Sequence, residues 1–226
     1  MIDSARAQGT PIESGDVLVV TQKIVSKAEG RLVVLAEVEP SAFARSIAQQ
    51  YDKDARLVEL VLRESRRIVR MDQGVIITET WRGYVCANAG IDASNVAGEG
   101  MVALLPEDPD ASARRIRDAV RQRAGATVAV IISDTFGRPW REGCTNVAVG
   151  VAGMLPLADY RGQRDPAGLV IRVSVLATAD ELASATEPVM GKLDRVPVAL
   201  VRGFAYTPGE TGSAPLLRPP EHDLFR

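Results

Sequence analysis

Two aspartates occupy settings that suit chemistry. Asp134 directly follows the apolar run Thr127 to Ser133, TVAVIIS. There a chain leaving a buried strand turns, and a carboxylate can face a cleft; Thr135 beside it adds a hydroxyl oxygen. Asp92 stands among small residues, Asn88 to Asn95, where a ligand can come close to the backbone. Carboxylate, hydroxyl and amide oxygens are hard donors suited to Mg2+ or Mn2+. The competing reading is that both aspartates close turns, as Asp routinely does.

The cations are unevenly chosen. Of 27 basic residues, four are lysines: Lys23, Lys27, Lys53 and Lys192. A lysine kept in an arginine background suits a place that needs a compact ammonium on a flexible stem. Lys27, in the turn-like segment SKAEG, could reach a phosphate as a point charge, or be an ordinary surface lysine. Arg138 and Arg141, downstream of Asp134, could clamp a phosphate or carboxylate bidentately, or line a solvated turn. Met190-Gly191-Lys192 ends a helical stretch, where Gly is ordinarily a helix stop.

Other chemistries lack their residues. The sequence has no GxxxxGK[ST], no GxGxxG after a strand, no GxSxG and no HExxH. Its one histidine, His222, lies in a polar tail, so a histidine-activated nucleophile has little basis. Cys86 and Cys144 match no zinc spacing.

The elements needed to position these residues can be read from patterning. Strands are expected at Asp16 to Lys23, Arg31 to Leu35, Ile68 to Met71, Gly74 to Thr78, Tyr84 to Ala87, Met101 to Leu105, Thr127 to Ser133, Leu169 to Leu176 and Val196 to Val201. Ser26 to Gly30 reads as a turn. Ala42 to Ser65 reads as two helices broken near Asp52-Lys53-Asp54, and further helices are expected from Pro109 to Ala124 and Ala179 to Leu193. Strands and helices do not alternate regularly, so the fold class is α+β with a mixed sheet.

Composition sets limits. With 46% hydrophobic residues and 4% aromatics, the core must be aliphatic. A formal charge of −2 gives no basis for a nucleic-acid or membrane-surface partner. The expectation is a soluble chain working in the reducing cytoplasm.

Seven segments in order carry a resemblance to a known family: VVTQKIVSKAEGR (Val19 to Arg31), AGIDASNV (Ala89 to Val96), ALLPEDPDASA (Ala103 to Ala113), ISDTFGRPWREG (Ile132 to Gly143), YRGQRDPAG (Tyr160 to Gly168), DELASA (Asp180 to Ala185) and RPPEHDLF (Arg218 to Phe225). Together they resemble the coenzyme F420-0:L-glutamate ligases, the gamma-glutamyl ligases of deazaflavin coenzyme synthesis. The resemblance implies a single ligase domain over residues 1–226 that adds L-glutamate to coenzyme F420-0 and extends the tail by gamma linkage, driven by GTP hydrolysis. It implies an intertwined α+β homodimer with the nucleotide in an interfacial groove. Carried over residue by residue, Gln22, Lys23, Lys27 and Asn95 would contact GTP, as would Met190, Gly191 and Lys192 in the stretch to Pro197. Asp92 and Asp134 would bind one divalent metal, Mg2+ or Mn2+, and Thr135 a second. Lys27 and Asp134 would be the catalytic pair. An acyl phosphate is expected, because a carboxylate is a poor electrophile.

Two departures bear on this. Some relatives carry a metal-contacting Gln where Lys192 stands, and a protonated lysine cannot ligate. The family also opens with a strand and a Leu-Pro-Gly-Ile-Pro-like segment, about 25 residues without counterpart before Ile2, whose loss would leave a sheet edge unpaired. Some relatives are fused to a flavin-binding reductase domain; no such activity is expected here. Two rival readings stand beside the ligase: a carboxylate–amine ligase for a different acid, and a nucleotide-binding relative without catalysis.

Overall fold

The computed structural model describes residues 1–93, 98 and 100–224. In chain order the elements are α1 (Ile2–Ala7), β1 (Val17–Thr21), α2 (Gln22–Ala28), β2 (Leu32–Val34), α3 (Ala42–Tyr51), α4 (Ala55–Arg63), β3 (Ser65–Asp72), β4 (Val75–Thr80), β5 (Val85–Ala87), β6 (Met101–Ala103), α5 (Pro109–Ala124), β7 (Ala129–Arg138), β8 (Arg141–Ala152), β9 (Ala158–Asp159), β10 (Val175–Leu176), α6 (Thr178–Met190) and β11 (Val198–Val201). The class is α+β, as expected. The chain forms two compact units. The first comprises Met1–Thr21, Pro109–Ser133 and Asn146–Arg218, and the second comprises Gln22–Asp108, Asp134–Thr145 and Pro219–Arg226.

The first unit is built on a mixed sheet of order β11-β1-β7-β8. β1 runs parallel to β7, from Val17↔Ala129 to Thr21↔Ser133, and antiparallel to β11. Val17 to Val20 and Ala129 to Ser133 are all buried, the continuous apolar pattern of strands covered on both faces. Val17, Val19, Ala129 and Ile131 pack with Ala179, Leu182 and Ala183 of α6. Side chains alternate along a strand, so α6 covers one face of this sheet. The approach to β1 is fixed by the buried Asp16, which accepts from Arg202 Nε and Nη2 at 2.8 Å each and from the Glu13 amide at 2.8 Å.

In the second unit, α3 and α4 are capped by Ser41, which accepts from the Ala44 amide, and by Asp54, which accepts from the Arg56 amide. The break between them falls at Asp52, in the left-handed region (φ 50°). Ala44, Ile47, Val58 and Val61 of these helices pack on Ile76 and Ala89. β3, β4 and β5 form an antiparallel sheet. Gln73 and Gly74, with φ 46° and 77°, make the tight turn between β3 and β4; positive φ at both central residues is the hairpin-favouring geometry.

Three expected boundaries move. The strand read as Asp16 to Lys23 ends at Thr21, and Gln22 to Ala28 is helical. Lys27 therefore lies in the last turn of α2 and not in a loop. A seven-residue helix is under two turns, too short to show a 3.6-residue period. Next, β7 does not stop at Ser133: it runs through Asp134, Thr135 and Arg138 to a turn at Pro139-Trp140, because the neighbouring β8 extends a strand that composition alone ends. Leu169 to Leu176 is strand only at Val175–Leu176. The rest is held by scattered backbone bonds, such as Gly162 N to Ile171 O at 2.9 Å.

Candidate active site

The residues that could do chemistry converge in the second unit. α2 begins at Gln22, whose side chain is buried. Its Oε1 accepts from Ser26 Oγ at 2.9 Å, an i,i+4 contact on the helix. The Gln22 side chain is also hydrogen-bonded to the Asp134 carboxylate. A carboxylate accepts, so Gln22 presents its NH2 end, and Ser26 fixes that orientation.

Lys23 is half-buried and reaches Asp92, Nζ to Oδ2 2.6 Å. Asp92 is placed by backbone. Its N–H donates to the Ala103 carbonyl at 2.9 Å and its carbonyl accepts from Ala103 N at 2.8 Å. Upstream, Asn88, Ala89 and Gly90 take φ of 51°, 55° and 70° in succession. Left-handed backbone costs about 1–2 kcal/mol per non-Gly residue. Here it turns the chain from β5 so that Asp92 faces Lys23.

Asp134 is half-buried. Desolvation, then the negative charge of Asp92, pushes its carboxyl up to about 7; the Thr135 amide, the Gln22 amide group and the Lys23 ammonium oppose the shift. Two carboxylates thus repel one another beside a single ammonium, a setting that a divalent cation would relieve. Among the described residues there is no group of three or more His, Cys, Asp or Glu side chains that could cage a metal. Two carboxylates instead fit a hard cation that keeps waters or phosphate oxygens in its other positions, as Mg2+ does. Asp92 and Asp134 would hold it, and the Thr135 hydroxyl would serve a second. Cys86 lies close enough for Asp134 to act on it; burial first, then that charge, pushes its thiol up to about 12. The thiol is therefore neutral near pH 7 and is no nucleophile.

The other expected site residues are distributed differently. Lys27 is exposed at the end of α2, one turn beyond Lys23. Met190, Gly191 and Lys192 belong to the first unit. Gly191 closes α6 with φ 59°, and a Cβ there would run into Asp194 Oδ2, so the helix-stop reading of this glycine holds. Lys192 Nζ lies 3.2 Å from Glu187 Oε1, while Asn146 Nδ2 donates to Glu187 Oε2 at 2.7 Å. Asn95 lies outside the described residues. Patterning missed Ser26, Glu187 and the left-handed backbone of Asn88 to Gly90 within a segment read as a small polar loop. Only Ser26 had a usable signal, its four-residue spacing from Gln22, and that needed α2 to be recognised.

An α+β chain that gathers Lys23, Asp92 and Asp134 in this way sets charged and hard-oxygen groups close together. Its family is fixed by comparison. Residues 1–203 match the family model of the F420-0:Gamma-glutamyl ligases, and the chain belongs to that family. It is 46% identical over 229 residues to the coenzyme F420:L-glutamate ligase of Methanothermobacter thermautotrophicus, covering 100% of this chain and 90% of that protein. To the protein of the same name from Methanopyrus kandleri it is 47% identical over 225 residues, 97% and 89% of the two chains. The Methanocaldococcus jannaschii counterpart is 41% identical over 217 residues, 96% and 86%. No helix among the described residues is long and apolar enough to cross a membrane.

Proposed function

We propose that this chain is a GTP- and divalent-cation-dependent ligase that forms an amide between L-glutamate and the terminal carboxyl of coenzyme F420-0, then adds further glutamate by gamma linkage. The observation that carries this reading is the cluster of Lys23, Asp92, Asp134 and Thr135, organised by Gln22 in a chain of the gamma-glutamyl ligase family.

Amide formation from a carboxylate requires activation. The acceptor carboxylate oxygen attacks the γ-phosphorus of GTP, the bond to GDP breaks, and an acyl phosphate results. The glutamate amine then attacks the acyl carbon, loses a proton and expels phosphate. A bound Mg2+ or Mn2+ would neutralise phosphate oxygens. Asp92 and Asp134 would supply oxygens for one such cation and Thr135 for a second. Gln22 holds Asp134, and Lys23 balances the carboxylates when the cation is absent. Lys27 would bring a compact positive charge to the phosphates, and Lys192 is assigned to the nucleotide by resemblance. Asn95 is assigned to the nucleotide by resemblance.

The reading extends to assembly and compartment. The first unit exposes Leu169, Val173, Val189 and Leu193, apolar side chains whose burial would favour a homodimer. Cys86 and Cys144 are unbridged, which suits a reducing cytoplasm. The deciding experiment incubates the protein with GTP, Mn2+, L-glutamate and coenzyme F420-0 and follows product mass. A gain of one or more glutamyl units, dependent on GTP and the cation, is the expected result. No gain on F420-0, with GTP still consumed when other acids are supplied, would assign the chain a different acceptor.

A further inference from the structure

The second unit holds another concavity, about 210 Å3 in volume, whose lining includes Arg31, Trp81, Arg82, Tyr84, Ala89 and Leu105 together with Glu64 and Glu107. None of the residues assigned above to the cation or to GTP lines it. Its walls are fixed largely by bonds among the lining residues. Arg31 donates from Nε to the Leu105 carbonyl at 2.9 Å and from Nη2 to Glu64 at 2.6 Å. Arg82 donates to the Glu107 carbonyl at 2.7 Å and pairs with Asp108 at 2.9 Å. Tyr84 is buried. The exception is Trp81, whose indole N–H donates to the Arg63 carbonyl at 2.9 Å while the residue stays 69% exposed. One edge of the ring is tethered and most of its surface is uncovered.

An exposed indole leaves unburied the largest apolar side chain a protein has. A tethered one has already lost much of the freedom that binding would otherwise remove. Within the lining, the guanidinium groups of Arg31 and Arg82 are balanced in number by the carboxylates of Glu64 and Glu107, so the concavity offers flat surface without net charge. Stacking is the contact such a wall makes best.

The concavity also adjoins the acidic site along the chain. Ala89 and Leu105 of its wall stand three and two residues from Asp92 and Ala103, which are bonded to each other. Packing between the two segments is close: a Cβ on Gly90 would meet Leu105 Cδ1 at 2.7 Å.

We propose that this concavity takes the flat heteroaromatic ring of a substrate, stacked on Trp81. The inference rests on the function proposed above, which supplies two such rings, the deazaflavin of the acceptor and the guanine of the nucleotide. L-Glutamate has none. Trp140 is the other tryptophan of the chain, so Trp140→Phe leaves Trp81 as the only indole emitter.

The test uses the full chain in two arms. In Trp140→Phe, F420-0, GTP and L-glutamate are titrated separately while Trp81 emission is followed. Separately, Trp81→Ala and Trp81→Phe are assayed with each substrate varied. We expect one ring-bearing substrate to quench Trp81. Trp81→Ala should raise the KM of that same substrate about tenfold or more, with kcat and the KM for L-glutamate little changed, and Trp81→Phe should recover most of the loss. Quenching by F420-0 identifies the deazaflavin as the occupant, and quenching by GTP identifies the guanine. If the chain glutamylates F420-0 but neither ring quenches Trp81, or Trp81→Ala leaves both KM values unchanged, the ring site is wrong and the ligase assignment stands. If F420-0 or GTP quenches Trp81 but no glutamyl product forms, the ring site is supported and the ligase assignment fails.

Discussion

Asp134 is asked to be a carboxylate in a place that resists one. Its folded value of about 7 lies above the ordinary 3.8, so folding favours the protonated form. That contribution to stability is whole below 3.8 and is lost as pH rises through about 7. Asp134→Asn removes the charge and keeps the shape, so its melting temperature should gain on the wild type between pH 4 and pH 8. The same substitution should abolish cation-dependent GTP turnover; turnover at the wild-type rate would remove Asp134 from the ligand set. A protonated carboxyl cannot ligate. Mn2+ affinity of the wild-type chain should therefore rise steeply with pH until about 7, and titrations at several pH values would show it. Gly90 tests how Asp92 is positioned. In Gly90→Ala, left-handed backbone costs about 1–2 kcal/mol and overpacking against Leu105 about 1–3 kcal/mol. Denaturant midpoints measure that loss, and a parallel fall in Mn2+ affinity would show that the turn aims Asp92.

Helix α2 joins the buried strand β1 to the site, and its two lysines differ in setting. Lys23 is tied to Asp92, whereas Lys27 is exposed in the last turn. Either cation complements a helix C-terminus, so Lys27→Arg should leave the melting temperature unchanged. An Arg is a broad planar fork in place of a compact charge. We expect GTP turnover to fall at least tenfold in Lys27→Arg, on the order of the loss of one charge-assisted contact; normal GTP kinetics would make Lys27 a surface lysine only. In the first unit, β1 depends on Asp16, which the hydrogen bonds from Arg202 hold below the usual carboxylate range. Being lowered, Asp16 contributes stability above 3.8 that is lost as pH falls through its folded value. Arg202→Met should lower the melting temperature at pH 7 by several degrees, and the difference from wild type should shrink in acid. Thermal melts from pH 2 to pH 7 test both statements.

At the scale of the molecule, the chain passes repeatedly between its two units, so neither is a contiguous segment. Sedimentation of the purified protein should give about twice the 24.2 kDa of one chain, and substituting Leu193 and Val189 by Ser should weaken the association if those residues are buried in it. Much of the frame was legible in the sequence. The α3–α4 break, α5 from Pro109 to Ala124 and the buried run at β7 each follow from local pattern. Residue type and family motif singled out Asp92 and Asp134, but the setting of Asp134 was misread: it lies inside β7 and not at a turn after the strand. What local pattern could not supply depends on partners distant in sequence. β7 continues past Ser133 because β8 lies beside it, and α2 is too short to announce itself. Lys23 meets Asp92 across many residues of chain, and the left-handed turn that aims Asp92 is held by Leu105 and by the Ala103 backbone. Burial decides the rest: the same Asp that would titrate near 3.8 in an open loop titrates near 7 here, because only the folded chain withholds water from it.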